Sequence, residues 1–247
     1  MNGAKDVLFG FHPVNEALRA GKRTIYRIFV SRRQSLKRTR KIQDQAAAAK
    51  IDTVRVEQKV LDTLTGTENH QGIAAEVSPF PVRNASGIAQ MLKPEKEPYF
   101  ILVLENIEDT HNLGAIIRTA LCAGADYILI PKNRAARPCP AVSKSSAGAM
   151  EHADIFIMTN TANILRELKE SGVWVFGLDG EGDRSLFEAD LTGNIALVIG
   201  SEHKGIRPLV KKECDFLVSI PNMGRINSLN ASVAGGIAMF EALRQRL

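Results

Sequence analysis

Apolar and polar side chains alternate through Ile25-Tyr26-Arg27-Ile28-Phe29-Val30, the period-two pattern of a half-buried strand, and Val14 to Ala20 forms a short helical stretch closed by Gly21. The Ala-rich segment Gln43 to Lys50 has high helix propensity. Asp52 to Val56 predicts a strand, Gln58 to Leu64 a short helix, and Gly72 to Val77 a strand behind a turn at Asn69 and His70. Four prolines (Pro79, Pro81, Pro94, Pro98) then punctuate the chain more heavily than any other stretch, and a domain boundary is expected there. Beyond it, strand and helix patterns alternate through Tyr99–Leu104, Leu113–Ala123, Tyr127–Ile130, Ser143–Met150, Ile155–Ile157, Ala162–Ser171, Val173–Leu178, Ile195–Ile199, Phe216–Ile220 and Ala231–Arg246. The strands are near-continuous Val/Ile/Leu/Phe runs, as in a parallel sheet buried on both faces. The expected organisation is α/β: a small domain over 1–78, a proline-rich linker over 79–98, and a parallel-sheet domain over 99–247.

The 247 residues are 45% apolar and 24% charged, a mix that excludes disordered, collagen-like and disulfide-scaffold chains. Cys122, Cys139 and Cys214 are odd in number, with no CxxC spacing and no nearby His pair, so neither a disulfide framework nor a metal site is expected; they should be buried reduced thiols. No signal-like apolar stretch follows the N-terminus, and no window holds 18 uninterrupted apolar residues. A cytoplasmic protein without membrane spans is expected.

Charge placement sharpens this picture. Residues 1–80 hold 14 Lys/Arg against 8 Asp/Glu, a net of +6, whereas residues 81–247 hold 18 against 19, a net of −1. From Ala17 to Gln43 there are ten cations and no carboxylate: Arg19, Lys22, Arg23, Arg27, Arg32, Arg33, Lys37, Arg38, Arg40 and Lys41. Such a run supplies phosphate contacts rather than base identity, and nucleic acid is the expected partner.

In open parallel sheets ligands sit beyond the carboxyl ends of the strands, which directs attention to three loops. After Tyr99–Leu104, a polar loop runs from Glu105 to Gly114 into a helix. Asn112 suits either a helix cap or a site there, and Arg118 interrupts an otherwise apolar helical pattern, where a cation needs a partner or a function. After Ile195–Ile199, the glycines Gly200 and Gly205 flank Glu202 and allow close approach to the backbone. After Phe216–Ile220, a long loop rich in small polar groups carries Ser228 and Asn230 into the last helix, which either residue can cap. No GxGxxG and no GxxxxGK[ST] follows any strand, so dinucleotide and P-loop fingerprints are missing. The acidic loop Gly180 to Asp183 does not match an EF-hand and is expected to be a solvated turn.

Together the three loops resemble the three motifs of the SpoU (TrmH-like) branch of the SPOUT methyltransferases. Glu108 through Ala120 resembles the first motif, Leu197 through Gly205 the second, and Ile220 through Ala234 the third. The front module, with Phe9-Gly10 and His70-Gln71-Gly72-Ile73, is similar to the RNA-binding extension of the large-subunit rRNA guanosine 2′-O-ribose methyltransferases of that family. Thr110 departs from the usual Pro, which loosens the loop without removing a reacting group.

The resemblance implies a trefoil-knotted sheet domain and a homodimer with the active site near its interface. It implies S-adenosylmethionine as cofactor, held around Gly177, Leu178, Gly200, Ile220 and Leu229 with the loop Gly177 to Gly180 lining the same cleft, and no metal. It implies a catalytic set of Asn112, Arg118, Glu202, Ser228 and Asn230, with Arg118 taking or relaying the proton of a ribose 2′-hydroxyl and Asn112 orienting it. A guanidinium stays protonated in almost every protein setting, so phosphate binding or alkoxide stabilisation is the alternative role for Arg118. The implied substrate is a guanosine in 23S rRNA. A tRNA substrate within the same family, or a non-catalytic RNA-binding assembly factor, stand as alternatives.

Overall fold

The computed structural model describes residues 5–96, 98–202, 204–224 and 228–247, with the backbone alone at 36, 38 and 94. The chain divides into two units, Met1–Pro81 with Arg137–His152, and Val82–Ala136 with Ala153–Leu247.

The front unit runs β1 (Asp6–Phe9), α1 (Phe11–Ala20), β2 (Ile25–Ser31), α2 (Leu36–Ala48), β3 (Asp52–Val56), α3 (Gln58–Thr65) and β4 (Ile73–Val77). Its sheet has the order β1-β4-β2-β3, in which only the β2–β3 pair is parallel. Helix α1 starts three residues before the expected Val14: Gly10, at φ 97°, turns the chain, and Pro13 sits in the first turn where a missing N–H breaks no helical bond. At the far end Gly21 adopts φ 62° and its N–H reaches the Ala17 carbonyl at 3.1 Å, a left-handed cap that only glycine takes freely. Leu8, Val14, Ala17, Ile28, Val30, Ile42, Ala46, Ile73, Ala75 and Val77 form the core. The turn before β4 is closed by buried His70, whose Nε2 lies 2.9 Å from Asp62 Oδ1 and whose Nδ1 accepts the Gly72 N–H at 2.9 Å. A Cβ on Gly72, at φ 74°, would stand 2.4 Å from the Gln34 side chain, so glycine is required there.

The second unit continues with β5 (Arg83–Asn84), β6 (Phe100–Leu104), α4 (Thr110–Cys122) and β7 (Tyr127–Pro131); α5 (Pro140–Ser145) groups with the front unit. Next come β8 (Ile155–Met158), α6 (Thr161–Glu170), β9 (Trp174–Leu178), β10 (Arg184–Ser185), β11 (Ile195–Ile199), α7 (Pro208–Lys211), β12 (Phe216–Ser219) and α8 (Ala231–Arg246). The sheet order is β10-β12-β9-β11-β6-β7-β8-β5, and every pairing is parallel. All five residues of β6 and of β11 are buried, as their unbroken apolar runs require. Residues 195–199 pair one for one with 100–104 and with 174–178, which brings Leu104, Ile199 and Leu178 to the same level and aligns the loops that follow them. Helices α4 and α8 lie against each other.

Several expectations need correction. The stretch Ser143–Met150 is not one helix: α5 ends at Ser145, Ala147 (φ 52°) and Gly148 (φ 83°) turn left-handed, and Ala149–His152 is a 3-10 turn. Strands β5 and β10 and helix α7 are too short to leave a periodic signal. The thiols are not all buried. Cys122 is exposed in the last turn of α4, and Cys139 and Cys214 are partly buried. Burial pushes the Cys214 thiol up to about 12. Among the described residues no helix is long and apolar enough to cross a membrane.

Candidate functional site

The carboxyl ends of β9, β11 and β12 open into a cavity of about 330 Å³. Leu178, Ile199 and Ile220 line it from the strand ends, with Gly200, Ser228, Leu229, Ala231 and Ala234 around them. Gly200 is there because nothing larger fits: a Cβ would stand 2.2 Å from the Gly205 carbonyl carbon. Ser201 and Gly205 pair with each other, the Gly205 N–H reaching the Ser201 carbonyl at 2.9 Å, with Gly205 at φ 57°. Gly177 does not line the cavity. Its missing side chain leaves room for Leu217 and Cys214, each within 3 Å of where a Cβ would lie.

Three of the sequence candidates meet beside this cavity. Asn112, in the first turn of α4, donates from Nδ2 to Glu202 Oε1 at 2.8 Å, and Asn230 Nδ2 donates both to Asn112 Oδ1 at 3.1 Å and to Glu202 Oε1. The Ala231 N–H adds to the same carboxylate oxygen at 3.4 Å. Glu202 thus sits at the N-terminus of α8, where unpaired backbone N–H groups favour an anion. Asn230 also caps that helix, its Oδ1 accepting the N–H groups of Ser232 at 2.9 Å and Val233 at 3.3 Å. Asn112 is not the cap of α4; Asp109 is, accepting the His111 N–H at 2.9 Å. Its amide is left to bind Glu202, and the network locks the starts of α4 and α8 to the loop after β11. Thr110 occupies the first helical position of α4, where Pro is also well suited.

Arg118 lies elsewhere. Leu113, Ile116, Ile117 and Ala120 form the buried stripe of α4, so Arg118 points outward, exposed, lines neither cavity described here, and has no side-chain partner among the described residues. His203 of the second motif and residues 225–227 of the third lie outside the described residues.

Asp179, in the loop Gly177 to Gly180 that the resemblance implies lines this cleft, and Lys211, which sequence reasoning missed, line the same cavity as an ion pair at 2.5 Å. Glu181, expected to be a solvated turn residue, lines it as well. A larger cavity, of about 520 Å³, adjoins through Ser201, Glu202, Lys204 and Ala231, and extends past the ends of β6 and β7 to Asn106, Glu108, Asp109, Arg134 and Arg207. Arg207 is fastened there, its Nε and Nη2 reaching the buried carboxylate of Glu105 at 2.6 and 3.0 Å.

In the front unit the basic run separates into two groups. Arg33, Lys37 and Lys41 are exposed and without side-chain partners among the described residues, whereas Arg19, Arg32 and Arg40 are exposed but paired to Glu16, Glu57 and Asp44. Lys22 is exposed and donates to the His152 carbonyl at 2.8 Å, and the side chain of Arg38 lies outside the described residues. Arg23 leaves the phosphate-facing set altogether. Its guanidinium is buried against Asp6 and Glu151 and donates to the Ser78 carbonyl at 2.8 Å. Burial holds the Glu151 carboxyl above its ordinary range.

Residues 99–240 match the model of the SpoU rRNA Methylase family, and residues 7–82 match the RNA 2'-O ribose methyltransferase substrate binding model. The 23S rRNA (guanosine-2'-O-)-methyltransferase RlmB of Pseudomonas putida is 38% identical over 240 residues, covering 97% of this chain and 96% of that protein. The enzyme of the same name from Ralstonia nicotianae is 40% identical over 243 residues, covering 97% and 96%. The AdoMet-bound rRNA methyltransferase of Sinorhizobium meliloti superposes with a TM-score of 0.81 at 25% identity, covering 98% of this chain and 88% of that one. The SpoU methyltransferase AviRb of Streptomyces viridochromogenes, solved with AdoMet, also gives 0.81, at 23% identity and with 98% and 90% covered.

Proposed function

From the premise that this chain belongs to the SpoU rRNA methylase family, we propose that it methylates the ribose 2′-hydroxyl of a guanosine in 23S rRNA, with S-adenosylmethionine as methyl donor. The observation that carries this is the cavity at the ends of β9, β11 and β12, walled by the second and third motifs in a chain that aligns with named guanosine methyltransferases over nearly its whole length. The residues present fit the cofactor. Leu178, Ile199, Ile220, Leu229 and Ala234 offer apolar walls to a base and to the carbons attached to the sulfonium, while Asp179 and Glu181 offer acceptors to hydroxyl and ammonium groups. The bound cofactor supplies an electrophilic methyl group on a sulfonium.

The chain's own residues position the nucleophile. The locked Asn112–Glu202–Asn230 network fixes the wall between the two cavities, and Ser228 lines the cofactor side. The guanidinium of Arg118 keeps its charge and is assigned to the 2′-oxygen, where negative charge grows as the hydroxyl proton leaves. In its own chain Arg118 faces away, so the reading includes a homodimer joined across α4 and α8, in which Arg118 serves the partner's cavity. The outer face of α8 suits such a joint, with Val233 and Phe240 about half exposed. The reading further includes a trefoil knot in the carboxyl-terminal sheet segment, RNA delivery by the basic front unit, and the cytoplasm as compartment.

Calorimetric titration with S-adenosylhomocysteine tests the cofactor assignment. The native chain binds it, and Gly200→Ala weakens binding by about tenfold or more, since forcing a methyl group into filled space costs about 1–3 kcal/mol. Binding of NAD in place of S-adenosylhomocysteine would contradict the assignment.

A further inference from the structure

The larger cavity holds a feature that the motifs leave unexplained. Arg134, in the loop after β7, is exposed, lines the cavity, and has no side-chain partner among the described residues. It also holds φ at 55°, a backbone region that side-chain-bearing residues seldom adopt, and Asn106, which lines the same cavity, does the same at 55°. The loop is pinned on both sides of Arg134: the Lys132 N–H reaches the Met158 carbonyl at 2.6 Å, and the Ala136 N–H reaches the Ile107 carbonyl at 2.8 Å. A cation is therefore presented to a cavity by fastened, strained backbone while remaining unpaired, an arrangement that places strain where a ligand is bound.

The second guanidinium on this cavity behaves differently. Arg207 is held bidentate by buried Glu105 and forms part of the wall. Lys204, which lines both cavities, has no side-chain partner among the described residues. The cavity thus presents two unpaired cations beside the carboxylates of Glu108, Asp109 and Glu202, at a volume of about 520 Å³, within the ~300–1,000 Å³ of small-ligand sites. Resting on the methyltransferase reading, we infer that the larger cavity receives the acceptor nucleotide and that Arg134 grips a phosphate flanking its ribose. The planar fork of arginine suits a phosphodiester, and Arg134 is the unpaired guanidinium on this cavity among the described residues. Gripping the flanking phosphate fixes the ribose against the shared wall of Ser201 and Glu202, which faces the cofactor cavity.

Two measurements on the full-length chain test this. In steady-state methyl transfer to 23S rRNA, Arg134→Ala raises the KM for RNA about tenfold, the scale of a charge-assisted contact, while S-adenosylhomocysteine affinity stays within twofold. Arg134→Lys recovers part of the loss. Arg134→Asn, which tolerates the left-handed backbone but lacks the guanidinium, recovers none, so a loop effect is separated from a contact. Saturation-transfer NMR with guanosine 3′,5′-bisphosphate as probe supplies a readout independent of turnover: the native chain gives a signal that Arg134→Ala abolishes, and guanosine alone gives little. If the native chain transfers no methyl group, the functional reading fails while the probe experiment still decides the cavity. Unchanged KM in Arg134→Ala, or equal probe signals from native and variant chains, would overturn the assignment.

Discussion

Replacing Arg118 by Ala should slow methyl transfer by about 10²–10⁴-fold, the range spanned by a positioned group that acts on a transferring proton or a developing oxyanion. Cofactor affinity should stay within a few-fold, because Arg118 lines neither the cofactor cavity nor the one beside it. The outward orientation of Arg118 adds a sharper expectation. If it serves the partner's cavity, an inactive Arg118→Ala chain and an inactive Glu202→Ala chain, mixed and allowed to exchange subunits, should together regain activity. Random pairing makes half the dimers mixed, each with one intact site, so about a quarter of native activity should return. No recovery on mixing, with exchange verified by mass spectrometry, would place Arg118 in its own chain's site. A variant with native turnover would remove it from the mechanism.

The second large effect concerns delivery. Arg33, Lys37 and Lys41 are exposed and unpaired among the described residues, while Thr39, Ile42 and Ala46 hold the inner face of α2. Reversing all three cations to Glu changes no buried contact, yet removes three phosphate partners and introduces repulsion. RNA affinity should fall by about 100-fold or more at moderate salt, and the slope of log Kd against log salt should shrink by about 3, close to one unit per lost phosphate contact. S-adenosylhomocysteine binding should not change. Arg23→Ala is the informative contrast. Its guanidinium is buried against Asp6 and Glu151, so its loss should lower the melting temperature and leave the salt slope unchanged. A native salt slope in the triple variant would show that the stretch from Arg33 to Lys41 does not carry the RNA.

These two cases show where the sequence is transparent. The exposed cations of α2 were legible as a charge run, but the inward turn of Arg23 was not, because its acidic partners lie 17 and 128 residues away. The sheet was legible because strands buried on both faces must be continuous apolar runs, and β6 and β11 are. The loop after β11 was legible for a related reason: Gly200 and Gly205 flank a carboxylate at a strand's end, and both glycines stand where Ser201 and Gly205 pair. Lys211 was not legible, since it stands on a four-residue helix with no period to mark it, and only the folded chain brings it to Asp179. Arg118 was legible as an anomaly in an apolar helix, but its direction was not. A single outward-facing position on a 13-residue helix is decided by which stripe meets the sheet.

The most direct test of the whole account is transfer of tritiated methyl from S-adenosylmethionine to 23S rRNA taken from cells that lack this protein, followed by mapping of the labelled nucleotide. The account predicts stoichiometric labelling of one residue, recovered as 2′-O-methylguanosine, with no labelling of 23S rRNA from cells that contain the protein. No incorporation into any RNA while RNA binding is intact would contradict it in favour of a non-catalytic assembly factor. Labelling of tRNA alone would contradict its choice of substrate.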